Sequence, residues 1–239
     1  MKKIIHPWQA LLLLLILVIA ASCQKQGPAA PSKKEKEFAL SGFTKIMAGE
    51  NFTVNLVRSN DFTIRATGAA DDLEDLGLSV NEKGQLSIKY KQFKLNRDRI
   101  SFTISLPSIE TLQLGAGARG SVAGFQDQQS LMSAVLTGIS SASISGTGMH
   151  LDINVSGNAE LSLSGIAEEL KGMVFGSGQL NAYGLNVKDA NVTAGENAKV
   201  YISSSNVLFA NVTGNGRIYY RGDPSMYLEI YENGKVIRE

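Results

Sequence analysis

Apolar and polar residues alternate along most of this chain, in short runs that restart at nearly constant spacing. In HLDINVSGNAELSLSG, residues 150–165, Leu151, Ile153 and Val155 are followed by Ala159, Leu161 and Leu163. A period of two turns one face of a strand inward. The glycine between the runs permits the positive φ of a tight turn. A third apolar group closes each repeat: Ile166 and Leu170, then Leu185 and Val187, then Val207 and Phe209.

Gly138, Gly157, Gly176, Gly195 and Gly214 are 19 residues apart, and Gly146, Gly165, Gly184 and Gly222 stand eight residues after four of them. The segment ENAKVYISS, 196–204, matches GNAELSLSG, 157–165, better with a shift of one residue. Three short strands per repeat make one coil of a solenoid, whose neighbours hydrogen-bond at ~4.8 Å and share a core. The expected fold is all-β: a right-handed parallel β-helix, three-sided, with about 19 residues per coil. Its hand follows the general rule for parallel crossovers. A β-sandwich of short hairpins is the rival, but strands this closely spaced leave little room for one.

The repeats are expected over residues 111–222. Residues 38–110 carry longer strands (FTKIMAG, NFTVNLVRS, DFTIRATG, QLSIKYK, ISFTISLP) and form an N-terminal β region. That region either caps the solenoid or supplies its first coils. In DDLEDLGLSV, residues 71–80, Asp71 or Asp72 suits the cap of a short helical turn. Residues 223–239 are expected to form a C-terminal hairpin cap: Pro224 interrupts the repeat, MYLEIY alternates and Asn233-Gly234 suits a hairpin turn.

The start of the chain follows another pattern. Lys2 and Lys3 precede an apolar run from Leu11 to Ala21, then Ser22 and Cys23. Eleven residues rise about 16 Å as a helix, too short for a ~30 Å hydrocarbon core. Residues 1–22 therefore read as a secretory signal peptide. Ala20-Ala21-Ser22-Cys23 resembles the bacterial lipobox, which implies lipidation of Cys23, with palmitate among the acyl groups expected. Several acyl chains give stable anchoring where one does not. Residues 23–37 lack periodicity and read as a flexible tether. Gln24 after the cysteine, by the same resemblance, favours the outer membrane within the cell envelope. The membrane is thus one expected partner.

Composition removes several functions. Without residues 1–22, which hold two lysines and no acid, 21 basic residues face 22 acidic ones. No basic excess exists to drive nucleic-acid binding. Lys33, Lys34 and Lys36 read as a solvated part of the tether. Cys23 is the sole cysteine, so no intramolecular disulfide forms, and His150 is the one histidine beyond the leader. No catalytic group, metal site or cofactor is expected. His150 lies in GTGMHLD at a coil corner, Asp152 and Asp189 fall at different phases of the repeat, and GAGARG, 115–120, reads as turns. Asp71, Asp72, Glu74 and Asp75 lack the spacing of a calcium loop. The one tryptophan, Trp8, is in the leader. Tyr183, Tyr201 and Tyr219, 18 residues apart, stand at outward positions beside Ala182, Val200 and Ile218. They are the candidate binding stripe, with stabilising ring stacking as the plainer alternative. Arg221-Gly222-Asp223 spells an integrin tripeptide, but Gly222 fills a repeat position.

FTKIMAGENFTVNLV, DLGLSVNEKGQLSIKY, ISFTISLPSIETLQLGAGARGSV, the glycine repeats and GRIYYRGDPSMYLEIYENGKV, in that order, resemble the bacterial family described as "putative auto-transporter adhesin, head GIN domain" (DUF2807). The resemblance covers nearly all of residues 40–239. It implies a β-helix and a surface or periplasmic location, and it carries over no catalytic residue. The expected function is a non-enzymatic, adhesin-like module that binds a polysaccharide or an envelope or host protein. A structural envelope scaffold, or a polysaccharide-acting enzyme, is the alternative.

Overall fold

Leu161, Leu180, Val200 and Ile218 are successive strand partners, and all four are buried. They belong to β13 (Glu160–Val174), β14 (Gln179–Ala194), β15 (Lys199–Val212) and β16 (Arg217–Arg221). The same inward column continues through Ala142 of β11 (Ser141–Thr147), Gly120 of β9 (Arg119–Ala123), Val54 of β3 (Phe52–Arg58) and Phe102 of β7 (Ile100–Leu106). At its other end is Val236 of β18 (Lys235–Arg238). Every pairing in the column is parallel. The computed structural model describes residues 33–126, 131–147 and 150–239, and Lys33–Glu239 form one compact unit. The leader, Cys23 and the tether up to residue 32 lie outside the described residues.

A second parallel face is built from β6 (Gln85–Tyr90), β2 (Lys45–Ala48), β8 (Thr111–Leu114), β10 (Leu131–Leu136) and β12 (His150–Val155). The later halves of β13, β14 and β15 and then β17 (Ser225–Ile230) complete it. Each face has nine strands among the described residues, about 38 Å of stack at ~4.8 Å per step. Strands β13 to β15 run through both faces because the chain bends gently between them. Buried Leu185 and Val187 line that short third side. The expected parallel β-helix is present.

The sharp corner shows what the glycines do. Gly138, Gly157, Gly176 and Gly214 all have left-handed φ, between +64° and +75°. At the corner between Gly176 and Gly214 that conformation falls on Glu196, φ +58°, and not on Gly195. The one-residue shift seen in ENAKVYISS is a lengthened coil: Leu180 to Val200 spans 20 residues, and Val200 to Ile218 spans 18. Glycine is also needed for closeness. A Cβ on Gly176 would stand 2.8 Å from the Gly157 carbonyl oxygen. The N–H after each corner donates to the corner carbonyl below it, Asn158 to Gly138 and Ser177 to Gly157, both at 2.8 Å.

Residues 38–110 supply both the first coils and their cover. Strands β2 and β3 stack on β8 and β9, whereas β6 and β7 form the outermost layer beyond them. The chain therefore lays down the second layer before the first. β4 (Thr63–Gly68) adds antiparallel to β7, β1 (Lys34–Glu37) to β4, and β5 (Leu76–Val80) to β6. The one helix among the described residues, α1 (Ala70–Glu74), completes this end. Its N-cap is Ala69 with no side-chain bond, so Asp71 and Asp72 lie in the first turn and neither is the cap.

Three expectations are corrected. The tether does not reach residue 37, because Lys34–Glu37 is the edge strand β1. Backbone pairing needs no apolar face, and the sequence KEKE gives that edge the charges that discourage further pairing. Arg65 grips Glu35 and Glu37 at 2.9 and 2.8 Å. Residues 223–239 are not a hairpin: β17 and β18 pair parallel with β15 and β16 as one more coil. Asn233-Gly234 is a solenoid corner, with Glu232 left-handed and the Asn233 N–H donating to Gly214 at 3.0 Å. An asparagine ladder marks the corner, Asn233 to Asn215 at 3.2 Å and Asn215 to Asn197 at 3.3 Å. Finally, Ile166 and Phe209 point outward. Leu208 and Ala210 occupy the inward positions beside Phe209.

Tyr90 is buried at the covered end, and its hydroxyl has no partner among the described residues. Burial, reinforced by the Asp72 carboxylate, pushes its pKa up to about 12. The folded state thus favours the neutral phenol. That contribution is complete below the unfolded pKa of about 10 and is lost as pH rises through about 12, roughly 2–3 kcal/mol in all. Tyr90→Phe is expected to hold or raise stability at neutral pH, since it removes an unsatisfied buried hydroxyl. It should also flatten the alkaline loss seen by urea unfolding at several pH values. An unchanged alkaline slope would contradict the assignment.

Candidate functional site

Outward side chains in a parallel β-helix stack in register, because each strand lies directly over the next. Tyr201 and Tyr219 are strand partners, with ring centroids 4.9 Å apart and planes 9° from parallel. The strand partner of Tyr201 on its other side is Asn181, and Tyr183 reaches back from two residues on to meet Tyr201 edge-on at 5.4 Å. The three tyrosines expected on one stripe thus meet, although their contact is not one uniform ladder. Tyr183 is engaged from within: its hydroxyl donates to Glu239 at 2.8 Å, and the Arg221 guanidinium covers its ring at 3.9 Å. Burial and the Glu239 carboxylate both raise the Tyr183 pKa, so it stays a neutral donor.

A second aromatic pair escaped the sequence reading. Phe209 and Tyr227 are strand partners on the other long face, 4.5 Å apart and 14° from parallel. They are 46% and 55% exposed, more open than the half-buried tyrosines. Asn191 precedes Phe209 in this column, and Thr193, Asn211 and Glu229 form the next one. Between the columns lies a groove of about 450 Å³. The Asn211 amide donates to Glu229 at 2.9 Å, which fixes the carboxylate beside the rings. A signal was present: Phe209 and Tyr227 are 18 residues apart, the spacing of the tyrosines. The alternation Leu208-Phe209-Ala210 leaves the register open when every residue is apolar.

The remaining candidates are placed as follows. Cys23 lies outside the described residues. His150 is exposed, with Nδ1 3.3 Å from Glu169. Asp189 accepts from Asn206 at 2.6 Å, in a different column from Asp152. Asp72 and Asp75 both bind Arg97, and Glu74 binds Lys36 at 3.0 Å. Among the described residues no cluster of three His, Cys, Asp or Glu could hold a metal ion. Arg221 and Asp223 of the tripeptide are ion-paired with Glu239 and Arg238. The arrangement as a whole offers flat apolar rings beside amides, hydroxyls and one carboxylate, suited to non-covalent recognition of an extended ligand.

No curated protein matches the chain significantly. Solved structures do. One described as a "putative adhesin" of Bacteroides fragilis superposes with a TM-score of 0.76 at 16% identity, covering 87% of this chain and 97% of that one. A "putative adhesin" of Parabacteroides distasonis gives 0.64 at 18%, covering 87% and 97%. A "putative lipid binding protein" of the same organism gives 0.65 at 16%, covering 87% and 96%. At these identities the likeness establishes the shared fold. The family model described as "putative auto-transporter adhesin, head GIN domain" matches residues 42–224, and the chain belongs to that family.

Proposed function

We propose that this protein is an envelope lipoprotein, anchored through Cys23, whose β-helix binds an extended ligand along its outward aromatic columns. The reading of the anchor rests on the leader and lipobox of residues 1–23. The observation that carries the binding role is the exposed Phe209–Tyr227 pair beside the Asn191, Asn211 and Glu229 groove. Ring faces flanked by hydrogen-bonding groups suit a polysaccharide, whose sugar rings are apolar on one face and polar at the edge. Tyr201 and Tyr219 extend the same chemistry onto the adjoining face.

A glycan array comparing three proteins tests this: wild type, the Phe209→Ser/Tyr227→Ser variant and the Tyr183, Tyr201, Tyr219 triple alanine variant. Loss of binding by roughly tenfold or more is expected for the first variant, with a smaller loss for the triple variant. Equal binding by all three would refute a role for the rings. For the anchor, labelling of cells with a palmitate analogue should mark the wild type and leave Cys23→Ser unmarked.

A second reading, a scaffold for an envelope protein, draws support from the C-terminal layer. Leu228 and Ile230 stand in the inward columns yet are half exposed, beside outer edges of β17 and β18 that no strand pairs among the described residues. Capture of one stable envelope partner, lost in Leu228→Lys, together with an empty glycan array, would favour it.

A further inference from the structure

The most exposed large apolar side chains among the described residues are Phe93 and Leu95, 88% and 77% exposed. They lie two residues apart in the loop between β6 and β7, residues 91–99, with the sequence KQFKLNRDR. Its charges are Lys91, Lys94, Arg97, Asp98 and Arg99, with no acid between Glu82 and Asp98. Together they place two large apolar side chains in water on one short loop, flanked by basic residues.

The loop is braced. Arg97 ties its base to Asp72 and Asp75, donates to the Gln92 carbonyl at 2.6 Å and covers the Tyr90 ring at 3.8 Å. Lys91 donates to the Glu74 carbonyl at 3.1 Å. The tip therefore presents its apolar pair from a fixed base, with Lys91 and Lys94 on either side of Phe93.

Its position matters as much as its composition. Lys36 of β1 donates to Leu73 and Glu74 of the same helix α1 that Lys91 and Arg97 hold. The loop thus shares its supporting helix with the strand where the described chain begins. Lys33 is ten positions on from Cys23, a reach of at most about 35 Å when extended. Resting on the lipid-anchor reading above, this end of the solenoid is the one held close to the bilayer.

We propose that residues 91–97 form a membrane-docking tip. Phe93 and Leu95 enter the interface of an anionic lipid surface, and Lys91 and Lys94 lie over its headgroups. The docked tip would set the β-helix at a fixed attitude to the membrane and leave the Phe209–Tyr227 groove presented away from it, at the far end of the stack.

The test uses residues 33–239, which form one compact unit and lack Cys23, so its outcome is independent of lipidation. That unit contains no tryptophan, Trp8 being in the leader, so Phe93→Trp is a single fluorescent reporter. Vesicles of phosphatidylcholine, with and without about one-third phosphatidylglycerol, are the probe. Flotation with the anionic vesicles is expected, with a blue-shifted tryptophan emission that brominated lipids quench. Phe93→Ser/Leu95→Ser should weaken binding by roughly tenfold or more, as should Lys91→Glu/Lys94→Glu. The serine variant should keep the wild-type melting temperature, since both side chains already face water. No flotation of the wild type, with emission unmoved by vesicles, would overturn the proposal. So would emission that shifts only with added envelope protein, which would mark a protein contact. If the tip binds vesicles but Cys23 carries no acyl group in cells, the docking stands and the anchor falls.

Discussion

Leu161→Asp is expected to yield no soluble folded protein, or one that has lost its cooperative thermal transition. Leu161 is buried between Ala142 and Leu180 in the shared inward column. Truncating such a leucine costs about 2–5 kcal/mol. Placing a carboxyl there adds the cost of burying an ionisable group without a partner, several kcal/mol more. A domain of this size has about 5–15 kcal/mol in total. The stack makes matters worse, because each coil is stable only against its neighbours. A defect in the middle divides the column into halves that each expose an unpaired layer. Circular dichroism and thermal melting of the variant beside wild type are the measurement. A variant with unchanged melting would mean that residue 161 faces water and that the column is misassigned.

Arg97→Ala is expected to cost about 1–3 kcal/mol, the usual penalty for leaving polar groups out of reach of water without their partner. The Arg97 side chain is 6% exposed and sits between Asp72 and Asp75, themselves largely buried. Its loss leaves two carboxylates facing each other beneath Tyr90. It also removes the guanidinium from the Tyr90 ring. The damage should be local to the covered end. Hydrogen exchange should rise across α1, β5 and residues 91–99, and far less in β13 to β15. Adding Asp72→Asn and Asp75→Asn should restore part of the stability, because it removes the uncompensated charges. Arg97→Ala with wild-type urea stability would contradict the buried network. This brace also supports the proposed membrane tip, so Arg97→Ala should weaken vesicle binding even though Phe93, Leu95 and the two lysines remain.

Comparing single residues shows where the sequence was informative. Leu161, Leu180 and Val200 could be stacked from alternation and spacing, because inward and outward residues differ in polarity there. At Leu208-Phe209-Ala210 both registers are apolar, so alternation leaves the face of Phe209 open. The outward groove went unseen with it. The corner glycines pointed to the turn, but Glu196 adopts the same left-handed conformation at the corner between Gly176 and Gly214. The asparagine beside it recurs at 215 and 233 and marks the last three corners. Asn233-Gly234 reads equally well as a hairpin or a coil corner, since both need a left-handed residue in a short turn. Strand partners decide between them, and those are distant in sequence.

What the chain specifies locally is the coil: an alternating face, a tight corner and the small residues that let corners stack 4.8 Å apart. That is enough for the parallel β-helix, because a periodic local rule propagates. Tertiary structure alone decided the order of layers, with β6 and β7 outside β2 and β3, and it alone recruited the KEKE strand, α1 and Arg97 to cover that end. Those choices depend on pairings between residues tens of positions apart, where local preference is silent and burial of a particular edge determines the outcome.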